Sequence, residues 1–372
     1  MNRRPWILHL TVAATCLAGV SCSEQGITLQ GAGATFPAPL YKRWFLEFYK
    51  AHPDQRVNYQ PIGSGAGIRQ FSEGLTIFGA SDAAMSDSEI KKAKEMAKER
   101  GQDHEEVILL PMTAGSIVLC YNLPGVTQEV RLSRKTYVRI FLGEIDQWND
   151  SALRADNPGV DLPDLPITVV RRAEGSGTTY AFTNHLNAVG REVKIKWEPG
   201  VSKSVTWKAD FIGARGNPGV AAIIQQTAGA IGYLEYGYAE LARLPMAVLQ
   251  NKSGNMIKPT PDSCQAALKG VELPADNRIW IPDPAGEQAY PIVTYTWMLC
   301  YSRYNDAAKV EVLKEVLKFG LTKGQEFSAE LGYIPLPEDI AQKVLESVDR
   351  IQAGPSPVAL RALPSFPHGG GP

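Results

Sequence analysis

From Gly31 onward, short apolar runs alternate with segments whose apolar residues recur three and four positions apart. That alternation predicts strands and amphipathic helices in turn, the pattern of an α/β protein. Gly31-Ala-Gly-Ala-Thr-Phe-Pro-Ala-Pro39 reads as a glycine-rich turn. It feeds a helix carrying Leu40, Trp44, Phe45, Phe48 and Tyr49, with Pro37 suited to a first turn. Residues 57–62 read as a strand running into Gly63-Ser-Gly-Ala-Gly67 and a short helix over 68–73. Residues 77–81 predict another strand, ended by Asp82. Ser86 and Glu89 have capping-box spacing ahead of a charged helix through Arg100.

Further along, 107–111 and 116–121 predict two buried strands with Thr113-Ala-Gly115 between them. The proline-punctuated stretch 149–166 predicts loop. Residues 167–170 form a strand ending at Arg171-Arg172-Ala-Glu-Gly-Ser-Gly-Thr178, followed by a helix with Tyr180, Phe182 and Leu186. A small-residue helix over 219–227 precedes a turn and strand over 229–236. A last strand over 292–301 and a helix over 309–321 complete the pattern.

Length and charge narrow the class. A chain of 372 residues suggests two domains. Its 38 Lys+Arg against 39 Asp+Glu give a net charge of −1, a poor start for nucleic-acid binding. Met1-Asn-Arg-Arg4 and the apolar run 6–20 have the shape of a secretory signal, too short for a membrane span. Gly19-Val-Ser-Cys22 resembles a lipobox with Cys22 as the lipidated residue, although Gly19 stands where Leu is usual. Cleavage after a small residue such as Ala18 is the alternative. Pro355, Pro357, Pro364, Pro367 and Pro372 mark residues 353–372 as a Pro/Gly-rich extension. No C-x-x-C or H-E-x-x-H is present, so neither metal nor cofactor is expected. Cys120, Cys264 and Cys300 are left after Cys16 and Cys22. Cys120 and Cys300 lie in matching Leu-Cys-Tyr triplets, each late in an apolar strand, and are expected to be buried and reduced.

The chemistry concentrates in three turns at predicted helix starts: Ala34-Thr35-Phe36, Gly63-Ser64-Gly65 and Gly175-Ser176-Gly177-Thr178. A helix start offers free N–H groups and the positive dipole end, and Gly lets a bound group approach the backbone. Hydroxyls add donors, so such turns suit a tetrahedral oxyanion. Each alone equally suits ordinary capping. The third turn is sharper because Arg172 precedes it directly after a strand, and a guanidinium can grip two oxygens of one anion. Arg171 should face the other way, and Glu174 can pair with Arg172. Glu174-Gly-Ser-Gly-Thr178 lacks the lysine of a P-loop, and Gly63-Ser-Gly-Ala-Gly67 is neither a nucleophile elbow nor a dinucleotide fingerprint.

Five stretches in order carry a resemblance: Gly31 to Pro39 as above, Val57-Asn-Tyr-Gln60, Gly79-Ala-Ser-Asp-Ala83, Val169-Val-Arg-Arg-Ala-Glu-Gly-Ser-Gly-Thr178 and Gly229-Ala-Ile-Gly-Tyr-Leu-Glu-Tyr236. Together they closely resemble the periplasmic phosphate-binding proteins of phosphate-specific ABC transporters, over roughly residues 27–349. The resemblance implies two α/β domains of the periplasmic-binding-protein type, joined by a hinge, with phosphate in the cleft. Domain I would comprise 26–117 and 299–350 and domain II 118–298, after a signal over 1–21. The chain would cross between domains near Cys120 and return near Cys300, and because hinge strands in such folds run side by side, these two cysteines would be near neighbours.

Carried over by motif, the ligand groups would be Thr35, Phe36 through its backbone N–H, Ser64, Asp82, Arg172, Ser176, Gly177 and Thr178, with Glu174 in support. Glu174 stands where the family often has Asp, and Gly65 where a second Ser is frequent. Asp82 would select phosphate by accepting its O–H while repelling unprotonated sulfate. Implied partners are inorganic phosphate, ABC permease subunits and, through Cys22, a membrane. The protein would be a monomeric receptor in the periplasm or at the cell surface. The alternative from another class is a periplasmic phosphate-ester hydrolase using the same pocket, with Ser176 as the residue to test.

Overall fold

Residues 26–102 and 106–354 are described by a computed structural model. The predicted signal and Cys22 lie outside these residues, as does the extension beyond Gly354. Among the described residues no helix is long and apolar enough to cross a membrane.

The chain starts as β1 (Ile27–Gly33), α1 (Ala38–Ala51), β2 (Gln55–Pro61), α2 (Ser64–Ser72), β3 (Phe78–Ser81) and α3 (Asp87–Glu99). It then runs through the long β4 (Val107–Tyr121). Next come β5 (Arg131–Leu132), α4 (Arg134–Phe141), α5 (Ser151–Asp156), β6 (Thr168–Arg172), α6 (Gly177–Val193), β7 (Ile212–Ala214), α7 (Gly216–Gln226), β8 (Ala230–Glu235) and α8 (Tyr236–Leu241). After β9 (Val248–Gln250), β10 (Met256–Ile257) and α9 (Pro261–Ala266), the chain returns as β11 (Val293–Tyr301) and β12 (Arg303–Tyr304). It ends with α10 (Ala307–Leu321), α11 (Glu338–Asp349) and β13 (Gln352–Ala353).

Eight strands form one continuous sheet in the order β2-β1-β3-β11-β4-β8-β6-β7. Its parallel pairs are joined through helices, the crossover connection that parallel pairing needs. β4 and β11 run antiparallel through the middle and are buried throughout. β4 pairs with β11 up to Ser116 and with β8 from Ile117, so one strand belongs to both halves of the sheet. β11 lies against β4 from Val293 onward and against β3 from Trp297 to Leu299.

The two strands expected over 107–121 are a single one. Pro111 cannot donate to a ladder, but the β11 pairing is irregular there, passing from Thr296 opposite Thr113 to Trp297 opposite Pro111. Gly115 lies under the Phe36 ring, where an added Cβ would sit 2.8 Å from ring carbons. The stretch 149–166 holds one short helix, α5, started by Asp150 accepting from Ala152 N–H at 2.7 Å. The Ser86–Glu89 capping box forms at the start of α3 as expected.

Cys120, Cys264 and Cys300 are buried free thiols. Cys120 and Cys300 are not neighbours. Cys300 lies opposite Ile108, whereas Cys120 lies opposite Gly232 on β8. Residues 108 and 120 stand at opposite ends of β4, roughly 40 Å apart at about 3.3 Å per residue. The central strands do run side by side, but antiparallel pairing carries the two matching triplets to opposite ends.

Candidate functional site

The three glycine- and hydroxyl-bearing turns meet where the two halves of the sheet face each other. The first follows β1. Its carbonyls are held from behind by tyrosines: Tyr59 donates to Ala34 O at 2.7 Å, Tyr238 to Thr35 O at 2.8 Å and Tyr333 to Phe36 O at 2.6 Å. Because a trans peptide points its N–H opposite its C=O, the Tyr238 bond turns Phe36 N–H the other way. The Phe36 ring is buried in the core.

The second turn begins α2, with Gly63 at φ +93°, a backbone shape that favours glycine. Ser64 Oγ accepts from Asp82 N–H at 3.3 Å. Gly65 N–H donates to Gly175 O at 2.8 Å, a main-chain bond from the first turn-bearing half to the second.

The third turn follows β6. Ser176 caps α6, its Oγ accepting from Thr179 N–H at 3.1 Å, while its own N–H donates to Lys203 O at 2.8 Å. Gly177 is packed so tightly that a Cβ would lie 2.6 Å from Asp82 N and 2.7 Å from Ser64 Oγ. Only glycine lets these turns close on one another.

Arg172 leaves the end of β6 and is buried. Its Nε donates to Glu174 Oε1 at 2.8 Å, and its terminal nitrogens reach Glu174, Thr178 Oγ1 (3.2 Å) and Thr35 Oγ1 (3.2 Å). Glu174 Oε1 also accepts from Gly216 N–H at 3.0 Å, which fixes the carboxylate that aims the guanidinium. Arg171 is half-buried and turned toward β7, where its guanidinium lies 3.2 Å from an ideal Cβ on Gly213. The alternation along β6 thus separates the two arginines as expected.

Asp82 stands just past β3 and is 1% exposed. Thr178 Oγ1 donates to its Oδ2 at 3.1 Å, and Thr296 Oγ1 to its Oδ1 at 3.1 Å. Burial pushes its carboxyl up to about 7, against the opposing pull of Arg172 and of these hydroxyls. At neutral pH the group stands close to the boundary between proton acceptor and proton donor.

Thr35, Ser64, Asp82, Arg172, Glu174, Ser176, Gly177 and Thr178 are thus brought together, with the backbone of Phe36 beside them. Several participants escaped sequence reasoning. Asn217 donates to Thr35 Oγ1 from both N–H (3.2 Å) and Nδ2 (3.0 Å), and its Oδ1 accepts from Glu235 N–H. Its sequence signal was Gly216-Asn217-Pro218, a helix start directly after a strand. Glu235, fully buried, accepts from Gly237 and Tyr238 N–H at the start of α8, and burial drives its carboxyl well above the usual range. Thr296 looked like any β-branched strand residue.

The cleft opens to solvent through a cavity of about 720 Å³ whose lining includes Thr35, Gly65, Arg69, Glu174, Arg215 and Gly216. A buried arginine, convergent hydroxyls and backbone N–H groups between two halves of an α/β fold define a ligand-binding protein for a small oxyanion. Comparison with known proteins agrees. A family model described as a PBP superfamily domain matches residues 20–320. A Haemophilus influenzae protein named phosphate-binding protein PstS is 36% identical over 326 residues, covering 86% of this chain and 92% of the relative. One of the same name from Methanocaldococcus jannaschii is 34% identical over 347 residues, covering 88% and 87%. The chain belongs to the PBP superfamily and, within it, to the family of these PstS proteins. Its fold is shared with a high affinity periplasmic phosphate-binding protein (PfluDING) bound with phosphate, at a TM-score of 0.70 and 22% identity over 86% of this chain and 93% of that one. A phosphate-binding protein from Stenotrophomonas maltophilia superposes at 0.69 with 21% identity over the same shares. The fold is thus the two-domain α/β architecture of periplasmic binding proteins.

Proposed function

We propose that this chain binds inorganic phosphate in the cleft and delivers it to the permease subunits of an ABC importer. The observation that carries this reading is the Thr178 hydroxyl standing between Arg172 and Asp82, 3.2 Å from the guanidinium and 3.1 Å from the carboxylate. A buried cation beside a buried acceptor suits an oxyanion that still carries a proton. Sulfate satisfies the first and is repelled by the second. Thr35, Phe36 N–H, Ser64, Asp82, Arg172, Ser176, Gly177 and Thr178 are the proposed ligand groups, with Glu174 orienting Arg172. The names of the PstS relatives support phosphate, and their family is one of substrate-binding proteins rather than enzymes. Ser176 fits that role: its Oγ serves as a helix cap, and His185 is bonded to Tyr137 and Pro282.

In this proposal residues 26–117 with 299–350 form one domain and 118–298 the other, and the two close about the central strands β4 and β11, which run side by side. In this proposal Cys22 carries a lipid that holds a monomeric receptor at the membrane on the periplasmic or outer face. Calorimetric titration tests the ligand: phosphate should bind at one site, with sulfate a weak competitor. Equal affinity for both anions overturns the reading. Membrane fractionation tests the anchor, which Cys22→Ser should abolish.

A further inference from the structure

Asp82 is gripped from the side by the strand that spans the middle of the sheet. In the antiparallel register of β3 and β11, Trp297 lies opposite Ser81. One step further along that register puts Thr296 opposite Asp82, with side chains on a common face. Thr296 Oγ1 donates to Asp82 Oδ1 at 3.1 Å, and Thr294, two residues earlier on the same face, donates to Asp82 O at 3.0 Å. The remaining carboxylate oxygen, Oδ2, faces Thr178. The irregularity in the β11–β4 pairing falls between Thr296 and Trp297, and bulges of this kind re-aim side chains beside binding sites. Thr296 is fully buried, so nothing but its partners satisfies its hydroxyl.

We propose that Thr296 is a specificity-positioning residue: by occupying Asp82 Oδ1 it presents Oδ2 to the ligand's proton and keeps Asp82 an acceptor. Discrimination for a protonated oxyanion then depends on a strand residue placed behind the carboxylate. The inference rests on the phosphate reading above.

Removing the Thr296 hydroxyl leaves a buried carboxylate oxygen without its donor, which disfavours the ionised form. A protonated Asp82 donates instead of accepting, and sulfate is then admitted. Other charged or titratable groups also couple to Asp82. Arg172 of β6, backed by Glu174, favours its ionised form. Tyr41 of α1, Tyr59 of β2, Tyr238 of α8 and Tyr333 are all raised by burial and stay neutral near pH 7. Glu235 of β8 completes the set. All of these are common to wild type and variant, as is the titration of phosphate itself.

The test compares phosphate and sulfate affinities across pH by calorimetry for wild type, Thr296→Val, Thr296→Ser and Asp82→Asn. Thr296→Val should weaken phosphate binding about tenfold or more, from the loss of one hydrogen bond to a charged group. Its phosphate-to-sulfate ratio should fall toward that of Asp82→Asn, and the pH below which phosphate affinity declines should move upward. Thr296→Ser should retain wild-type behaviour. Should the valine variant not fold, Thr296→Ala removes the same hydroxyl. Wild-type selectivity and pH profile in the variant lacking the hydroxyl, or equal losses in the serine variant, overturn the proposal while the phosphate reading stands. A wild type that fails to prefer phosphate overturns both, and shows it before any variant is measured.

Discussion

Lys203 Nζ lies 2.8 and 2.9 Å from the two carboxylate oxygens of Glu89, joining the start of α3 to the segment that supports the third turn. The pair is well placed to report on closure. Glu89 also accepts from Ser86 in the capping box, and Lys203 O receives Ser176 N–H. Burial pushes the Glu89 carboxyl up, but the Lys203 charge and hydrogen bonds outweigh it and leave the group below its ordinary range. The two side chains are 29% and 15% exposed, so the pair is partly shielded from water and salt.

We predict that Lys203→Met speeds phosphate release by about three- to tenfold, corresponding to roughly 1 kcal/mol for a partly buried ion pair. The motivating observation is that the pair links the two turn-bearing halves, so its attraction is available in the closed form. Stopped-flow dissociation is the measurement. Restoration by the swapped pair Glu89→Lys/Lys203→Glu would assign the effect to the ion pair, and an unchanged release rate in Lys203→Met would remove the latch.

A second prediction follows from Asp82. Its folded-state value of about 7 lies above the ordinary 3.8, so the folded protein binds the proton more tightly than the unfolded chain. Stability from this group is fully present below about pH 4 and is lost as pH rises through 7. At 1.36 kcal/mol per pH unit the ceiling on that loss is about 4 kcal/mol. Ligand-free Asp82→Asn should therefore be more stable than wild type at pH 8, with the difference closing toward pH 4. His185, held down to about 4 by burial, acts in the opposite sense but is present in both proteins. Denaturant melts across this range decide the matter, and a difference independent of pH would falsify the assignment.

Arg172→Lys tests whether geometry or charge alone holds the anion. The guanidinium reaches Glu174, Thr178 and Thr35 from three nitrogens of one plane, which an ammonium cannot reproduce. Phosphate affinity should fall about 10- to 100-fold, the range for a lost charge-assisted hydrogen bond. Calorimetry showing wild-type affinity in this variant would mean that charge suffices.

Much of the candidate site was legible because its residues serve local structure as well as the proposed ligand contacts. Gly63, Gly177 and the Ser176 cap obey turn and helix-start chemistry that a single chain displays, and Arg172 was marked by its place after a strand. The fold class was equally open, since strand and helix periods alternate clearly. What stayed hidden depends on pairing across long sequence separations. Thr296 matters because register sets it opposite Asp82, and Asn217 because α7 starts against Thr35. The Leu-Cys-Tyr triplets misled for the same reason: their likeness says nothing of strand direction. The expected break in β4, between strands over 107–111 and 116–121, is flanked by Pro111 and Gly115, residue types that usually interrupt a strand. Here a pairing irregularity accommodates the first, and the Phe36 ring requires the second.

The last prediction concerns how the anion arrives. The chain's net charge is −1, so no overall field draws phosphate in. Arg69, in the last turn of α2, and Arg215, just before α7, are both exposed and line the mouth of the cleft from opposite halves. Two cations flanking a cleft with low-dielectric walls concentrate anions there, within about 8 Å at physiological salt. Replacing either by Glu should slow phosphate association severalfold, roughly three- to tenfold at low salt, while leaving dissociation nearly unchanged. Because the effect is screened, it should shrink as ionic strength rises toward 0.5 M. The mouth residues touch neither Arg172 nor Asp82 in the hydrogen-bond network, so selectivity between phosphate and sulfate should stay as in wild type. Association rates measured by stopped flow across a salt series separate steering from binding. A loss that appears in the dissociation rate, or that persists at high salt, would place these arginines in the binding site itself.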